Sequence, residues 1–366
     1  MNNTNLILST ALAAVLLTAC GSREAAPNSF PGAMIDGEGV FLARGPHLYR
    51  YELASGNETW TFPAVADAAR APMAGQPIKV GAAIVFGEGV GAEGRNLYGI
   101  DAVSGKELWR FSKPKEWVDG AVTDGKLIFA PNGDGNLYAI DATDNQPKEV
   151  WSFPTQNKLW SRPLYANGKL YQGGMDHALY IVDAATGKQI KKLDIAGAPI
   201  AVQPTLSDGV LYFGALDSKF YAVNADSGAV IWSFVTNGWI WSEALVTNGK
   251  VIFGDVKGRI YALDAKSGKE AWIVDTNDAI HAQPVAKDGT VYVTSFDTKV
   301  YALNISDGAR VWKDPTDLKY RLPAKPILSG DKLIVPLYDS ETLMWAVETA
   351  NGNKGTQYAP TAAKGK

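Results

Sequence analysis

Apolar and polar residues alternate along this chain in short runs, and the same run returns at a nearly fixed interval. Stretches such as LYAID (137–141) and VYVTSF (291–296) alternate in this way and are rich in aromatic and β-branched residues. Gly or Asp follows at intervals of about ten residues. This pattern predicts β-strands with one buried face joined by tight turns, and it disfavours helical repeats, which need an apolar period of 3.6 residues.

Eight copies of one strand motif occur along the chain, separated by 40 to 49 residues. An aromatic residue opens each copy: Tyr49, Tyr98, Tyr138, Tyr180, Tyr221, Tyr261, Tyr301 and Trp345. A four-stranded propeller blade needs about 40 to 45 residues. The spacing therefore predicts an all-β fold, an eight-bladed β-propeller of four-stranded antiparallel blades.

Each copy continues with an acid or amide, in seven copies with a glycine, and in six copies with a tryptophan. The acid or amide can accept backbone N–H bonds at a turn, and the glycine permits positive φ. We predict that the tryptophans wedge neighbouring blades together: Trp60, Trp109, Trp151, Trp232, Trp272 and Trp312. The fourth and eighth copies have Lys191 and Thr356 instead. Lys191 indicates either a weaker seam or a seam that a partner covers.

The copies diverge in the strand that precedes each motif, which lies innermost in a propeller. Matched positions there share one face of the strand and differ from blade to blade: Trp117, Asp119, Trp160, Arg162, Trp241, Glu243, His281 and Lys325. One hypothesis is a binding site at the channel mouth, with tryptophan anchors and charged residues that fix polarity. The alternative is that the tryptophans pack under loops while the polar groups face channel water.

The first thirty residues read as an export and anchoring signal. Residues 6–19 form an uncharged apolar run of secretory length, followed by Cys20 in the lipobox-like sequence LTAC. We predict a lipoprotein signal peptide at 1–19, a lipidated Cys20 with a flexible tether at 20–29, the propeller at 30–360 and a disordered tail at 361–366. Gly21 after the cysteine is typical of lipoproteins sent to the outer membrane of a two-membrane bacterium.

Composition excludes several classes of function. A formal net charge of −3 gives no basis for nucleic-acid binding. The three histidines are far apart, the single cysteine cannot form an internal disulfide, and neither the hydrolase, the zincin nor the Walker motif occurs. We therefore expect no metal, no cofactor and no enzymatic activity.

The consensus LYALDA.SGK..W resembles the repeat of the pyrroloquinoline quinone (PQQ) dehydrogenase-like propellers, over about residues 30 to 360. The quinone-dependent dehydrogenases of that superfamily are longer and have a disulfide of adjacent cysteines and a calcium site. The single cysteine here argues against such a cofactor. The lipobox, short tether and eight repeats are also similar to the BamB family. That resemblance implies a non-enzymatic scaffold, anchored by lipid at the periplasmic face of the outer membrane, which docks on a BamA-type protein.

Three functions follow from these observations. The first is a lipoprotein scaffold, monomeric within a complex, for outer-membrane β-barrel assembly. The second is an extracytoplasmic propeller that binds a small molecule or glycan at its channel, and the third is a PQQ-dependent dehydrogenase. In a host with one membrane the anchor would instead hold the protein on the outer face of the cell membrane.

Overall fold

The computed structural model describes residues 31–64, 72–89, 95–338 and 340–361. Within these residues the chain forms eight four-stranded sheets, each from four consecutive antiparallel strands. The predicted eight-bladed β-propeller is confirmed. The predicted signal peptide, lipidated Cys20 and tether lie outside the described residues, as does the predicted tail after residue 361.

Blades one to four contain the first sixteen strands, from the innermost to the outermost of each blade. These are β1 (Gly32–Asp36), β2 (Gly39–Arg44), β3 (His47–Glu52), β4 (Glu58–Phe62), β5 (Met73–Val80), β6 (Ala83–Glu88), β7 (Arg95–Asp101), β8 (Glu107–Lys113), β9 (Val122–Thr123), β10 (Leu127–Pro131), β11 (Asn136–Asp141), β12 (Lys148–Pro154), β13 (Leu164–Ala166), β14 (Lys169–Gly173), β15 (Leu179–Asp183) and β16 (Gln189–Leu193).

Blades five to eight repeat the arrangement. Their strands are β17 (Thr205–Ser207), β18 (Val210–Gly214), β19 (Lys219–Asn224), β20 (Val230–Val235), β21 (Leu245–Thr247), β22 (Lys250–Gly254), β23 (Arg259–Asp264), β24 (Glu270–Asp275), β25 (Val285–Lys287), β26 (Thr290–Thr294), β27 (Lys299–Asn304), β28 (Thr316–Asp317), β29 (Ile327–Ser329), β30 (Lys332–Pro336), β31 (Met344–Glu348) and β32 (Lys354–Tyr358).

The hydrophobic core lies between blades, not within them. The second and third strands of each blade are buried on both faces because a neighbouring blade covers each side, as the patterns of β18 and β19 show. Between blades five and six, for example, Phe220 stacks on Phe253 with ring centroids 3.9 Å apart. The outer strands keep one face in solvent.

Five of the six predicted wedges join one blade to the next in the same way. Each indole Nε1 donates to the carbonyl oxygen of the residue after the turn acid or amide of the following blade: Trp60 to Ala102, Trp151 to Ala184, Trp232 to Ala265, Trp272 to Ile305 and Trp312 to Thr349. Each ring also covers that blade's turn glycine. At Gly308, where φ is +74°, an added Cβ would lie 2.9 Å from the ring of Trp272, so the close approach requires glycine.

Trp109 departs from this arrangement. Its ring lies against Gly99 of its own blade, where an added Cβ would meet Trp109 Cε2 at 2.1 Å. The following turn, in blade three, has Asn145 in place of the glycine and is two residues longer. The indole therefore has no glycine to cover in the next blade and occupies the space that Gly99 leaves.

The two junctions without tryptophan are closed by other side chains. Lys191 Nζ donates to the carbonyl oxygens of Asp226 and Ser227 in the blade-five turn, both at 2.8 Å. At the junction of blades eight and one, the Tyr358 hydroxyl donates to Leu53 O at 2.7 Å, which is the carbonyl position that the tryptophans reach elsewhere. Within the described residues the first and last blades share no strand, so side chains close the ring.

Candidate functional site

Eight residues at matched positions of the innermost segments surround the axis, and we call them the channel ring. They are Gly32, Gln76, Asp119, Arg162, Gln203, Glu243, Gln283 and Lys325. Six of them lie just before the innermost strand of their blade, while Gly32 begins β1 and Gln76 lies within β5; we call this end of the channel the mouth. The structure brings the four predicted charged residues of the ring together in one network.

Arg162 lies at the centre of this network. Its guanidinium donates to Gln76 Oε1 at 2.7 Å, to Gln203 Oε1 at 2.9 Å and to Glu243 Oε1 at 3.3 Å. Blades two and six, which hold Gln76 and Glu243, are opposite each other in a ring of eight. The guanidinium therefore crosses the channel axis, and Arg162 is only 9% exposed.

Glycine brings the innermost segments of the first three blades into backbone contact. An added Cβ on Gly32 would meet Gly75 O at 2.2 Å, and one on Gly75 would meet the Gly120 nitrogen at 2.3 Å. Gln76 and Gly120 also form an isolated parallel bridge. The channel is consequently narrow on this side, and the long side chains of the later blades fill the remainder.

Further hydrogen bonds tie the other ring members to the scaffold. Lys325 Nζ donates to Gln283 Oε1, and the amide nitrogens of Gln203 and Gln283 donate to Pro163 O and Ala244 O, both at 2.7 Å. The backbone N–H of Arg162 donates to Asp119 Oδ2 at 3.0 Å. The glutamines thus hold the charged side chains in place.

Burial shifts the pKa values of two charged residues in this site. Burial raises the pKa of Asp119 to about 6, although the nearby Arg162 guanidinium opposes the shift. Burial also lowers the pKa of Lys325, and the carboxylate of Glu243 acts against that change. Asp119 therefore titrates close to neutral pH while it stays next to Arg162.

Aromatic rings line part of the mouth. His281 stacks on Phe296 with ring centroids 4.3 Å apart, and Trp241 stacks on His281 at 6.1 Å. Burial lowers the pKa of His281 to about 4, so the imidazole is uncharged near neutral pH. Phe296 was not among the predicted residues; the matched positions in blades four to six are Met175, Leu216 and Val256. The sequence could have indicated Phe296, because it is aromatic while the matched residues in blades four to six are not.

The other two predicted anchors differ from each other. Trp160 is partly exposed, and Lys158 Nζ lies 5.7 Å from the centroid of its ring. Trp117 is only 1% exposed and packs in the core between blades two and three, 5.7 Å from the ring of Tyr138. The expectation that Trp117 anchors the mouth is therefore corrected, because the backbone of Gly87 lies directly against its Cβ.

The chemistry available at this site is limited. Across the described residues no group of three or more His, Cys, Asp or Glu side chains could hold a metal ion. The ring side chains bond to one another and to backbone carbonyls, so the site holds one buried ion pair, Arg162–Glu243, within a polar network. Nor does the described part of the chain contain a helix long and apolar enough to cross a bilayer.

Taken together, the eight blades and the filled axis define a propeller of the PQQ-like repeat class. The chain belongs to the family described as outer membrane protein assembly factor BamB, which it matches at residues 45–148, 93–190, 144–240 and 235–366.

Individual relatives agree with this assignment to different extents. The crystal structure of BamB from Moraxella catarrhalis superposes with a TM-score of 0.69 at 18% identity, over 83% of this chain and 92% of that one. BamB of Burkholderia pseudomallei is 27% identical over 113 residues, 31% of this chain and 28% of that protein. A quinoprotein ethanol dehydrogenase of Pseudomonas aeruginosa is 36% identical over 81 residues, 21% of this chain and 13% of that protein. The chain thus matches less than a third of the length of each of these two curated relatives.

The quinone cofactor implied by the dehydrogenases does not fit the residues at this axis. The Arg162 guanidinium occupies the centre and is bonded to side chains from blades two, five and six. The ring also provides only two carboxylates, those of Asp119 and Glu243, and both face Arg162. A quinone at the axis would have to displace Arg162 from these partners and would remove the guanidinium that both carboxylates face.

Proposed function

We propose that this protein is a non-enzymatic, lipid-anchored scaffold for the assembly of outer-membrane β-barrel proteins. The observation that carries the proposal is the match to the BamB family, which runs from residue 45 to residue 366 and so includes seven complete blades and part of the first. The similarity to a dehydrogenase covers only 21% of the chain. The channel network supports the same proposal, because the guanidinium of Arg162 is engaged by Gln76, Gln203 and Glu243 at the axis.

Anchoring and location are part of this proposal. The lipobox-like LTAC sequence supports lipidation at Cys20, and Gly21 supports retention at the outer membrane. Two or more acyl chains hold a protein at a bilayer stably, while a single chain does not. The partner is a barrel-assembly protein of the BamA type at the periplasmic face.

Affinity capture from detergent-solubilised envelopes of the native host tests this function. The full chain with a C-terminal tag should recover barrel-assembly components at levels well above those from a tagged Cys20→Ser variant. Recovery of no such component with the wild-type chain, while the lipid is shown by mass spectrometry to be attached, would remove the assembly role.

The aromatic mouth favours a second candidate function, the binding of a small molecule or glycan. Trp241, His281 and Phe296 form a stack, and Trp160, at the matched position of blade four, is partly exposed; such rings can hold the apolar face of a sugar. A Trp160→Ala/Trp241→Ala double variant should then lose binding on a glycan array while its thermal unfolding changes little. Unfolding of the variant, or unchanged binding, would exclude this function.

A further inference from the structure

The outermost strand of blade five, β20 (VIWSFV), differs from every other outermost strand in its composition. It has no charged residue, whereas β4, β8, β12, β16, β24, β28 and β32 each have at least one. Edge strands present unpaired backbone N–H and C=O groups, and proteins protect them with charges, proline or bulges. β20 pairs only with β19, so its outer edge has no strand partner in the described structure.

Val235 occupies the position on β20 at which most other blades have a residue that protects the strand edge. It lies opposite Lys219, the first residue of the third strand. Five of the other seven blades have proline or aspartate at the matched position: Pro63, Pro154, Asp194, Asp275 and Asp317. Blade two has Ser112, and blade eight has Ala359, which is 6% exposed. Val235 is 70% exposed, so blade five presents an apolar side chain where most blades exclude another strand.

Two more apolar side chains extend this surface. Val230 is 45% exposed and Ile231 is 48% exposed. β20 thus holds three of the eight large hydrophobic side chains exposed in the described residues, and no other strand holds more than one.

A groove continues from this strand toward blade six. Its volume is about 510 Å³. Ile231, Val210, Tyr212 and Val246 form its apolar part, and Asp208 and Lys266 are among its polar lining residues. Such a groove adjoining a strand edge is the arrangement by which proteins take an extended peptide, since the backbone bonds supply affinity and the groove accepts a side chain.

We propose that β20 and this groove bind an extended, uncharged peptide strand as a fifth strand of blade five. A charged partner strand would lose hydration against the apolar side chains of Val230 and Val235, so this edge favours an uncharged strand. Strands of outer-membrane barrels alternate apolar and polar residues with an uncharged apolar face. The inference rests on the proposed function for its occupant, an unassembled strand of an outer-membrane barrel protein.

Peptide binding to the full chain tests the proposal. The probe is a fluorescent peptide of alternating valine and threonine, eight residues long, with a lysine at each end. We expect it to bind one site per chain, measured by anisotropy. Methylation of alternate backbone nitrogens, or aspartate in place of the two central valines, should weaken binding at least tenfold. Equal affinity for the three peptides, or no binding at millimolar concentration, would overturn the proposal without any variant protein.

Substitutions in the protein test whether the peptide binds at β20. Val235→Asp should weaken binding at least tenfold. Val150→Asp is the control: this exposed valine also lies on an outermost strand, but at the bulge of β12, which carries Lys148 and Glu149, and binding should stay within twofold. Equal effects of the two changes would place the peptide elsewhere. Peptide binding without capture of assembly components would remove the proposed function and keep the strand site, whereas capture without peptide binding would remove the strand site alone.

Discussion

The side-chain contacts at the outer rim of this propeller repeat from blade to blade, whereas those at the channel axis do not. At the rim one solution recurs, since five tryptophans donate to the same carbonyl position of the next blade and cover the same glycine. At the axis no two neighbouring blades contribute the same residue, and the side chains of five blades meet at or beside Arg162. Contacts between neighbours can repeat, while contacts across a ring cannot, because only one side chain can occupy the centre.

The largest effect should come from the axis. Arg162→Met removes the guanidinium and leaves Asp119 and Glu243 as buried carboxylates with only Lys325 nearby to offset the charge of Glu243, so we expect a loss of about 3–5 kcal/mol in the free energy of unfolding. Urea denaturation measures it, and Arg259→Met at an exposed ion pair is the control. Adding Asp119→Asn and Glu243→Gln should restore much of the loss. A decrease below about 1 kcal/mol in the single variant would show that the axis is no more critical than the surface.

The pH dependence of the free energy of unfolding should also distinguish the axis from the exposed turns. The pKa of Asp119 is about 6 in the folded protein, above its ordinary value of 3.8, so the folded state binds this proton more tightly than the unfolded chain does. The contribution of this group therefore makes the protein more stable as pH falls from 7 to 4. The stability difference between wild type and Asp119→Asn should change by about 2–3 kcal/mol over that range. Urea unfolding at several pH values measures it, with the exposed-turn variant Asp307→Asn for comparison; a constant difference would contradict the prediction.

A single rim contact should matter less. Trp272→Phe keeps an aromatic ring but removes the Nε1 donor and leaves the carbonyl of Ile305 without that partner, so we expect a loss of about 1–2 kcal/mol. Thermal or urea unfolding measures it, and the exposed neighbouring change Ala271→Ser should have little effect. A loss as large as that of Arg162→Met would mean that rim and axis do not differ in the way described.

The smallest effect belongs to the junction of blades four and five. Lys191→Met removes two hydrogen bonds to turn carbonyls at an exposed site, and we expect a loss below about 1 kcal/mol. The companion variant Lys188→Met, on the same blade but outside this contact, is the control for the loss of charge. A loss above about 2 kcal/mol would make lysine as strong a wedge as tryptophan.

The rim could be predicted from the sequence because its contacts recur. Eight copies of one motif average out local variation, and a tryptophan four residues after a glycine has the same surroundings in each blade. The exceptions needed the structure: Trp109 turns onto Gly99 only because the next turn has Asn145, a relation that no single copy contains.

For the axis, the sequence predicted which residues face the channel but not which of them contact one another. Matched spacing placed Asp119, Arg162, Glu243 and Lys325 on one face, but it gave no distances across the ring. That Arg162 reaches Gln76 and Glu243 depends on side-chain length and on the narrowing by Gly32 and Gly75. Trp117 was misplaced for a similar reason, since the crossovers differ in length and spacing alone does not tell which aromatic residue turns under its neighbour.

Because the first and last blades share no strand, both ends of the propeller chain lie at the same end of the channel. Because blade one begins with its innermost strand, residue 31 lies beside the axis at the mouth, and Thr361 leaves the outer strand of blade eight at the same end. Eleven extended residues between Cys20 and this point span at most about 40 Å. The lipid that we propose on Cys20 would therefore keep the mouth end of the axis within about 40 Å of the bilayer.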